Sequence, residues 1–256
     1  SYTDVSTASG GQFYDEESEF CTQEDCSPIT KTFNVTEGAE VFLNDSYDVW
    51  KLNINQKKLH KLTSGRKNGL VYDLDSSNGT VQSLPWSMSS ERIVKAGTRL
   101  LYHYHSPDYS LEGIALENSK GRIENLVEDK ASYSQLKRGE NFITYIKQSA
   151  NLPPTLYLFN IKQKKETVIY RSNASDTLAP QAKVEYVQWL NSEGQKRGAV
   201  VRYPLNYDPR KKYPAIVDIY EKKYKAQHKY TSGAVVSSIG FNWRNYTEDG
   251  YFVIEP

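Results

Sequence analysis

The sequence has no long apolar run and almost no net charge, and each of these absences excludes a class of protein. No stretch approaches the roughly 18 consecutive apolar residues of a membrane-spanning helix, so we predict no membrane span in this chain. The 32 basic and 31 acidic residues leave a formal net charge of +1. This balance gives no bulk attraction to a nucleic-acid backbone or to an anionic lipid surface, and we expect no nucleic-acid partner.

Cysteine is also scarce, since Cys21 and Cys26 are the only two. Two thiols cannot complete a tetrahedral zinc site without distant histidines, which leaves a small disulfide-closed loop or two free thiols. We favour the disulfide, which would place the protein in the periplasm or outside the cell; the cytoplasm is the alternative. The chain starts with Ser and has one Met, so we expect any targeting signal to lie outside it.

The residues that are present indicate a folded protein rich in strands. Hydrophobic residues make up 38% and charged residues 25%, which is typical of an ordinary globular protein. Aromatic residues reach 12%, and the 20 Tyr with many Val, Ile and Thr favour strands over helices. A chain of 256 residues can form one large domain or two modest ones.

A repeated strand pattern covers much of the chain. Each repeat begins with Gly and continues through an apolar strand, a polar link, a second strand, a tight polar turn and a third strand. The second and third repeats start about 42 residues apart, within the range of about 40 to 50 for a propeller blade. The repeats span Gly38 to Gly65, Gly97 to Asp129 and Gly139 to Asn173, and their turns are Asn55 to Lys58, Asn118 to Gly121 and Gln163 to Lys165.

These repeats predict β-propeller blades. A sandwich is the alternative, but it does not repeat one strand–turn–strand unit in the same internal order. Three repeats are fewer than the four to eight blades that close a ring, so we expect a partial propeller over residues 1–178. The first interval is longer because it holds an insertion, Arg66 to Ser90, which includes the strand-like stretch LVYDLDS.

The strand repeats end at Asn173, where the linker-like SDTLAPQAK follows, and a second domain is predicted over residues 179–256. VEYVQWL and GAVVRYP flank a polar turn and predict a hairpin. AIVDIY (Ala215 to Tyr220) and YFVIEP (Tyr251 to Pro256) are continuous apolar runs, typical of strands covered on both faces. FNWRNYTEDG predicts a short helix with Trp243 and Tyr246 on one side, ended by Gly250.

The stretch YPLNYDPRKKYPAIVDIYEKK resembles the start of the hydrolase domain in the prolyl oligopeptidase family. In that family a P-x-x-Y/F-x-P loop leads through K-K/R-Y-P into the first central parallel strand, and NYTEDGYFVIEP is similar to the next strand. The order of blades before hydrolase strands resembles the dipeptidyl-peptidase-IV-like branch. The matching residues of the loop are Pro204, Tyr207, Pro209, Lys212, Tyr213 and Pro214.

The resemblance implies a mostly β protein in which propeller blades precede the first strands of an α/β-hydrolase domain. It implies a serine-type exo- or oligopeptidase that hydrolyses short peptides without a cofactor, with the propeller restricting access. It also allows a homodimer of the full-length protein. The alternative is a non-catalytic propeller module that binds a protein or glycan partner.

One catalytic residue is implied by the same resemblance. Tyr220 ends AIVDIY, and the family's Tyr at this strand end donates its hydroxyl to the tetrahedral oxyanion. The sequence has no G-x-S-x-G nucleophile elbow, so we expect the Ser, Asp and His of the triad to lie beyond Pro256. Ser237 and Ser238 in GAVVSSIG have the wrong spacing and are expected to be loop or helix-cap residues.

Two further groups of polar residues have competing interpretations. His103 and His105 lie two apart on a predicted strand and share a face, as two metal ligands would, but packed sheet residues are favoured and no metal site is predicted. Glu16 and Glu17, in the acidic stretch YDEESEF, could hold the amino terminus of a peptide. A solvated loop is the favoured interpretation of that stretch.

Overall fold

The computed structural model describes residues 10–13, 16, 32–35, 39–83, 90–219, 223–234 and 240–256. Residue contacts divide the chain into two compact units. The first comprises Ser1–Pro107 and Gly113–Glu128, and the second comprises Asp108–Glu112 and Asp129–Pro256. Among the described residues, no helix is both long and apolar enough to cross a membrane.

The first unit contains two β-sheets. One has six strands in the order β4-β3-β2-β1-β7-β6, with β1 and β7 parallel, and the other has four in the order β10-β9-β8-β5. The strands are β1 (Thr32–Val35), β2 (Glu40–Asn44), β3 (Val49–Asn53), β4 (Lys58–Lys61), β5 (Val71–Leu74), β6 (Gly79–Ser83), β7 (Ser90–Val94), β8 (Leu101–His105), β9 (Glu112–Glu117) and β10 (Ile123–Asp129). Two short helices join them, α1 (Gly65–Asn68) and a 3-10 turn at Ser76–Asn78.

Tyrosines form much of the core of the first unit. Tyr102 and Tyr104 on β8 have no exposed surface, and Tyr72 on β5 is stacked on Tyr104 with ring centroids 5.2 Å apart. Burying a Tyr requires a partner for its hydroxyl, and Tyr104 donates to Glu128 Oε2 at 2.8 Å. Tyrosines of β5 and β8 therefore pack in the core of this sheet.

The second unit contains a four-stranded meander and a mixed sheet. The meander has the order β11-β12-β13-β14, and the mixed sheet has the order β15-β16-β18-β17. In the mixed sheet β15, β16 and β18 are antiparallel neighbours, whereas β17 pairs with β18 in parallel. The elements are β11 (Ser132–Arg138), β12 (Phe142–Ser149), β13 (Leu152–Asn160), β14 (Lys165–Arg171), β15 (Val184–Leu190), β16 (Lys196–Arg202), β17 (Ala215–Val217), α2 (Trp243–Glu248) and β18 (Phe252–Glu255), with 3-10 turns at Ala179–Gln181 and Tyr224–Ala226.

Helix α2 connects the parallel strands and packs on the mixed sheet. It begins after Asn242, whose side-chain oxygen accepts a hydrogen bond from the Arg244 N–H at 2.9 Å. Trp243 is buried against Val253 of β18. Gly250 has φ +85°, a left-handed conformation that suits Gly and turns the chain from the helix into β18.

The structure confirms the predicted strands, turns and short helix. The three predicted turns join β3 to β4, β9 to β10 and β13 to β14, and the hairpin of the second domain is β15–β16. The chain is mostly β, as predicted. The predicted boundary between residues 178 and 179 lies between β14 and β15 but inside the second compact unit, and it stays a prediction.

Two predictions of strand content were incomplete. Each meander has a further strand before its predicted start, namely β1, β5 or β11, and LVYDLDS supplies β5, which pairs with β8 across the β6–β7 hairpin. AIVDIY was predicted to be covered on both faces, but β17 covers only Ala215–Val217 at the edge of the sheet. Val217 is 53% exposed and Ile219 is 80% exposed, because no further strand or helix among the described residues covers them.

Candidate functional site

Tyr220 lies outside the described residues, but the residues on either side of it are placed. The Asp218 N–H donates to the Ile254 carbonyl at 2.9 Å, which extends the β17–β18 pairing by one residue. Lys223 Nζ lies 3.6 Å from Asp218 Oδ2. The two flanks of residues 220–222 therefore meet beside the carboxyl end of the parallel pair, where open α/β sheets gather ligands.

The loop of residues 223–234 is held by residues distant in sequence. Gln227 Nε2 donates to the Asp108 carbonyl at 2.6 Å, and the Tyr230 N–H donates to Gln148 Oε1 at 3.2 Å. His228 Nε2 lies 3.1 Å from the Ser110 carbonyl, which can only accept, so this nitrogen carries the hydrogen. Burial lowers the pKa of His228, which favours the neutral ring.

Asp176, from the predicted linker, joins this loop to helix α2. Its carboxylate accepts from the Tyr230 hydroxyl at 2.6 Å and from Arg244 Nη2 at 3.2 Å. Arg244 is fully buried and also donates to Glu248 at 2.7 Å. Burial alone would raise the pKa of Asp176, but the Tyr230 hydroxyl and the Arg244 charge hold that pKa below its usual value.

A cavity of about 650 Å³ lies between this loop, α2 and the mixed sheet. Its volume is within the range of about 300 to 1,000 Å³ that small-molecule sites occupy. Its basic and acidic lining residues are Arg202, Lys223, Lys229 and Glu255. The other lining residues are Asn173, Ala226, Tyr230, Thr231, Ser232, Ala234, Phe241, Asn242 and Trp243.

A buried ion pair forms one wall of the cavity. Arg202 Nε donates to Glu255 Oε2 at 2.7 Å, and both side chains are less than one-tenth exposed. The Arg202 guanidinium lies over the Trp243 ring at 4.3 Å, a cation–π contact. Burial lowers the pKa of Arg202 and Glu255 opposes that effect, but a guanidinium keeps its proton in proteins.

Comparison with known proteins shows what the chain is similar to. No protein-family model matches it. It is 29% identical over 151 residues to dipeptidyl-peptidase 5 of Porphyromonas endodontalis, a match that covers 56% of this chain and 20% of that protein. This match agrees with the predicted resemblance to the prolyl oligopeptidase family and its dipeptidyl-peptidase-IV-like branch.

Solved structures show the same fold in relatives. Dipeptidyl peptidase 4 of Porphyromonas gingivalis matches 87% of this chain with a TM-score of 0.57 and 17% identity. A Bacteroides ovatus protein assigned as a dipeptidyl aminopeptidase IV matches 89% with a TM-score of 0.58 and 16% identity. The chain spans 29% and 33% of those two proteins. Its fold is that of propeller blades followed by strands of an α/β-hydrolase domain.

The structure places the other predicted candidates as follows. Glu16 accepts two hydrogen bonds from the Arg66 guanidinium, one of them at 3.0 Å, so its carboxylate is engaged in an ion pair within the first unit. His103 is half-buried on β8, and His105 is buried with Nδ1 2.7 Å from the Ser106 carbonyl. No group of three or more metal-ligating side chains occurs in the part of the chain that the structure describes. Cys21, Cys26, Glu17, Ser237 and Ser238 lie outside the described residues.

Sequence reasoning did not find the Arg202–Glu255 pair. The two residues are 53 positions apart, so no local motif joins them. One signal was present, because GAVVRYP and YFVIEP each contain a single charged residue inside an apolar strand. A charge in a buried strand requires a partner, and two such strands in one predicted sheet offer one to each other.

Proposed function

We propose that this chain is part of a serine peptidase that hydrolyses short peptides, with the propeller blades restricting access to its site. The observation that carries the proposal is the parallel β17–β18 pair, whose carboxyl end adjoins both flanks of the segment that holds Tyr220. The relatives named above are dipeptidyl peptidases, which supports this class of reaction.

In the proposed reaction a serine hydroxyl attacks the scissile carbonyl while a histidine accepts its proton. The sequence has no G-x-S-x-G, and in this proposal both groups are supplied by other parts of the full-length protein. This chain contributes Tyr220, whose hydroxyl donates to the oxygen that becomes negatively charged. Such a donor acts mainly in the transition state, where the oxyanion has formed.

The proposal is tested with the full-length protein and a fluorogenic dipeptide substrate. Tyr220→Phe removes only the hydroxyl and should lower kcat about 10²- to 10³-fold with KM little changed. Tyr203→Phe is the matched control, since it removes a hydroxyl that donates to Glu185 in the same unit. We expect the control to retain most of the activity.

Three results would contradict the proposal. A full-length protein that is inactive on short peptides and is not labelled by a serine-directed phosphonate would favour the non-catalytic binding module. Near-normal kcat in Tyr220→Phe would leave the peptidase but remove Tyr220 from its mechanism. An equal loss of kcat in Tyr203→Phe would show that general destabilisation, not a missing oxyanion donor, lowers the rate.

Location and assembly belong to the same proposal. We place the full-length protein in the periplasm or outside the cell, and cell fractionation with a reporter antibody tests this. Recovery of the protein only from the cytoplasm would overturn it. A homodimer is the proposed assembly, and light scattering at micromolar concentration measures it.

A further inference from the structure

The cavity beside the β17–β18 pair is basic. Three of its lining residues are cationic and one is anionic. Glu255 is already paired with Arg202. Lys223 forms an ion pair at 3.6 Å with Asp218, which is not a lining residue. Lys229 is exposed and makes no ion pair with any described residue. The cavity therefore presents more positive charge than its own carboxylate neutralises.

Arg202 provides a second and independent observation. It is 3% exposed, and its Nη1 has no hydrogen-bond partner among the described residues. A buried charged group that lacks a partner is costly, and such groups in native structures are usually satisfied by water, an ion or a ligand. Because Nε is bonded to Glu255, Nη1 is the nitrogen that a further carboxylate would satisfy, through a charge-assisted hydrogen bond.

The position of the cavity limits what could occupy it. Asn242 and Trp243 begin the crossover helix, and Glu255 ends β18, so the lining lies at the carboxyl side of the parallel strands. Lys223 lines the cavity and follows Tyr220 by three residues in the sequence. An occupant would therefore lie close to the bond that the proposed function cleaves.

We propose that this cavity binds a carboxylate of the peptide substrate and so sets a preference for substrates with a negative charge near the cleaved bond. The inference rests on the proposed function for its substrate class. The carboxylate could be the carboxyl terminus of a short peptide or an acidic side chain. Lys229 and Lys223 attract it at the mouth of the cavity, and Arg202 lies behind them.

The kinetic test uses the full-length protein and three matched short peptides. One ends in a free carboxylate, the second in a carboxamide, and the third in a carboxamide with Glu as its last residue. We expect kcat/KM for a charged peptide to exceed that for the neutral peptide by about five- to tenfold, as for a partly exposed charge-assisted contact. The first and third peptides, each compared with the neutral second, distinguish a terminal carboxylate from a side-chain one. The preference should shrink at 0.5 M salt, because salt screens partly exposed charges.

The variants are Lys229→Gln and the double variant Lys223→Gln with Lys229→Gln. We expect the ratio of charged to neutral kcat/KM to fall in the first and to fall further in the second, where Arg202 is the remaining cationic lining residue. Lys225→Gln is the matched control, since Lys225 is exposed in the same loop but is not part of the cavity lining. A preference that the double variant leaves undiminished, or that Lys225→Gln lowers equally, would overturn the proposal.

A binding measurement separates this inference from the proposed function. Isothermal titration calorimetry compares N-acetyl-alanyl-alanine with its carboxamide, neither of which needs to be cleaved. Tighter binding of the acid that the double variant loses, with no peptide cleavage, would support the cavity assignment and reject the peptidase. Peptide cleavage with no preference for charged substrates would support the peptidase and reject the cavity assignment. Equal or undetectable binding of acid and amide would overturn the cavity assignment.

Discussion

Asp176 shows how one carboxylate can hold several segments of the second unit. It accepts hydrogen bonds from Tyr230 in the 223–234 loop and from Arg244 in α2. It also accepts from the N–H groups of Leu178 and Ala179, at the start of the 3-10 turn within the predicted linker. The pKa of Asp176 is therefore lower in the folded protein than in the unfolded chain.

This shift predicts a pH-dependent loss of stability. The unfolded chain binds a proton at Asp176 more readily, so the stabilisation is present above the usual Asp pKa and is lost as pH falls through the lower folded pKa. Asp176→Asn should reduce the free energy of unfolding by about 1 to 3 kcal/mol at pH 7, as for a lost charge-assisted hydrogen bond. The difference from the wild type should narrow below about pH 4, measured by urea unfolding.

A matched control is Asp249→Asn, which removes an exposed carboxylate at the end of α2. It should have little effect at either pH. A difference between Asp176→Asn and the wild type that stays constant from pH 7 to pH 3 would contradict the assignment of the shift to this carboxylate.

At the scale of elements, the sequence predicted the hairpins well but missed β1 and β11, the first strands of the first and third meanders. Polar turns between apolar strands are local signals, and all three lie where expected. Strand β11 was missed because its pattern is irregular. The pairing of β11 with β12 shifts register between Ser134 and Lys137, and Gln135 has φ +51°. Buried Tyr133 and Leu136 are therefore three residues apart, which conceals the two-residue alternation of a strand.

The candidate site was harder to predict because its residues are far apart in the sequence. Its lining combines α2, β16, β18 and the 223–234 loop, and only the folded sheet brings them together. The resemblance pointed to Tyr220 through a local motif. The cationic cavity has no such motif, because Arg202, Lys229 and Glu255 come from three separate segments.

Helix α2 gives a prediction about an element end. Asn242 accepts from the Arg244 N–H and donates through Nδ2 to the Ser232 carbonyl at 3.0 Å. Asn242→Ala loses both contacts and should lower the free energy of unfolding by about 1 to 2 kcal/mol. Asn242→Asp keeps the acceptor and loses the donor, so it should recover part of this loss. Equal stabilities of the two variants in urea unfolding would show that the cap does not contribute.

At the scale of the whole molecule, the compact units do not follow the order of the chain. The second unit includes Asp108–Glu112, which the chain supplies from between β8 and the rest of β9. The carbonyls of Asp108 and Ser110 accept from Gln227 and His228, so these five residues anchor the loop that follows Tyr220. The 223–234 loop is thus held by residues that precede it by more than 100 positions, and a boundary drawn through the sequence alone does not describe this contact.

The 256-residue chain by itself should hydrolyse no peptide or ester above background. Catalysis of this type depends on a positioned nucleophile and base acting together, and the sequence contains no nucleophile elbow that could supply the first of them. An oxyanion donor such as Tyr220 lowers a barrier only when a nucleophile is there to form the oxyanion. A fluorogenic dipeptide assay on the purified chain measures this, with the full-length protein as the positive control and a serine-directed phosphonate as the inhibitor. Turnover by the chain that the phosphonate abolishes would show that a nucleophile lies among these residues, and the division of catalytic groups proposed above would then be wrong.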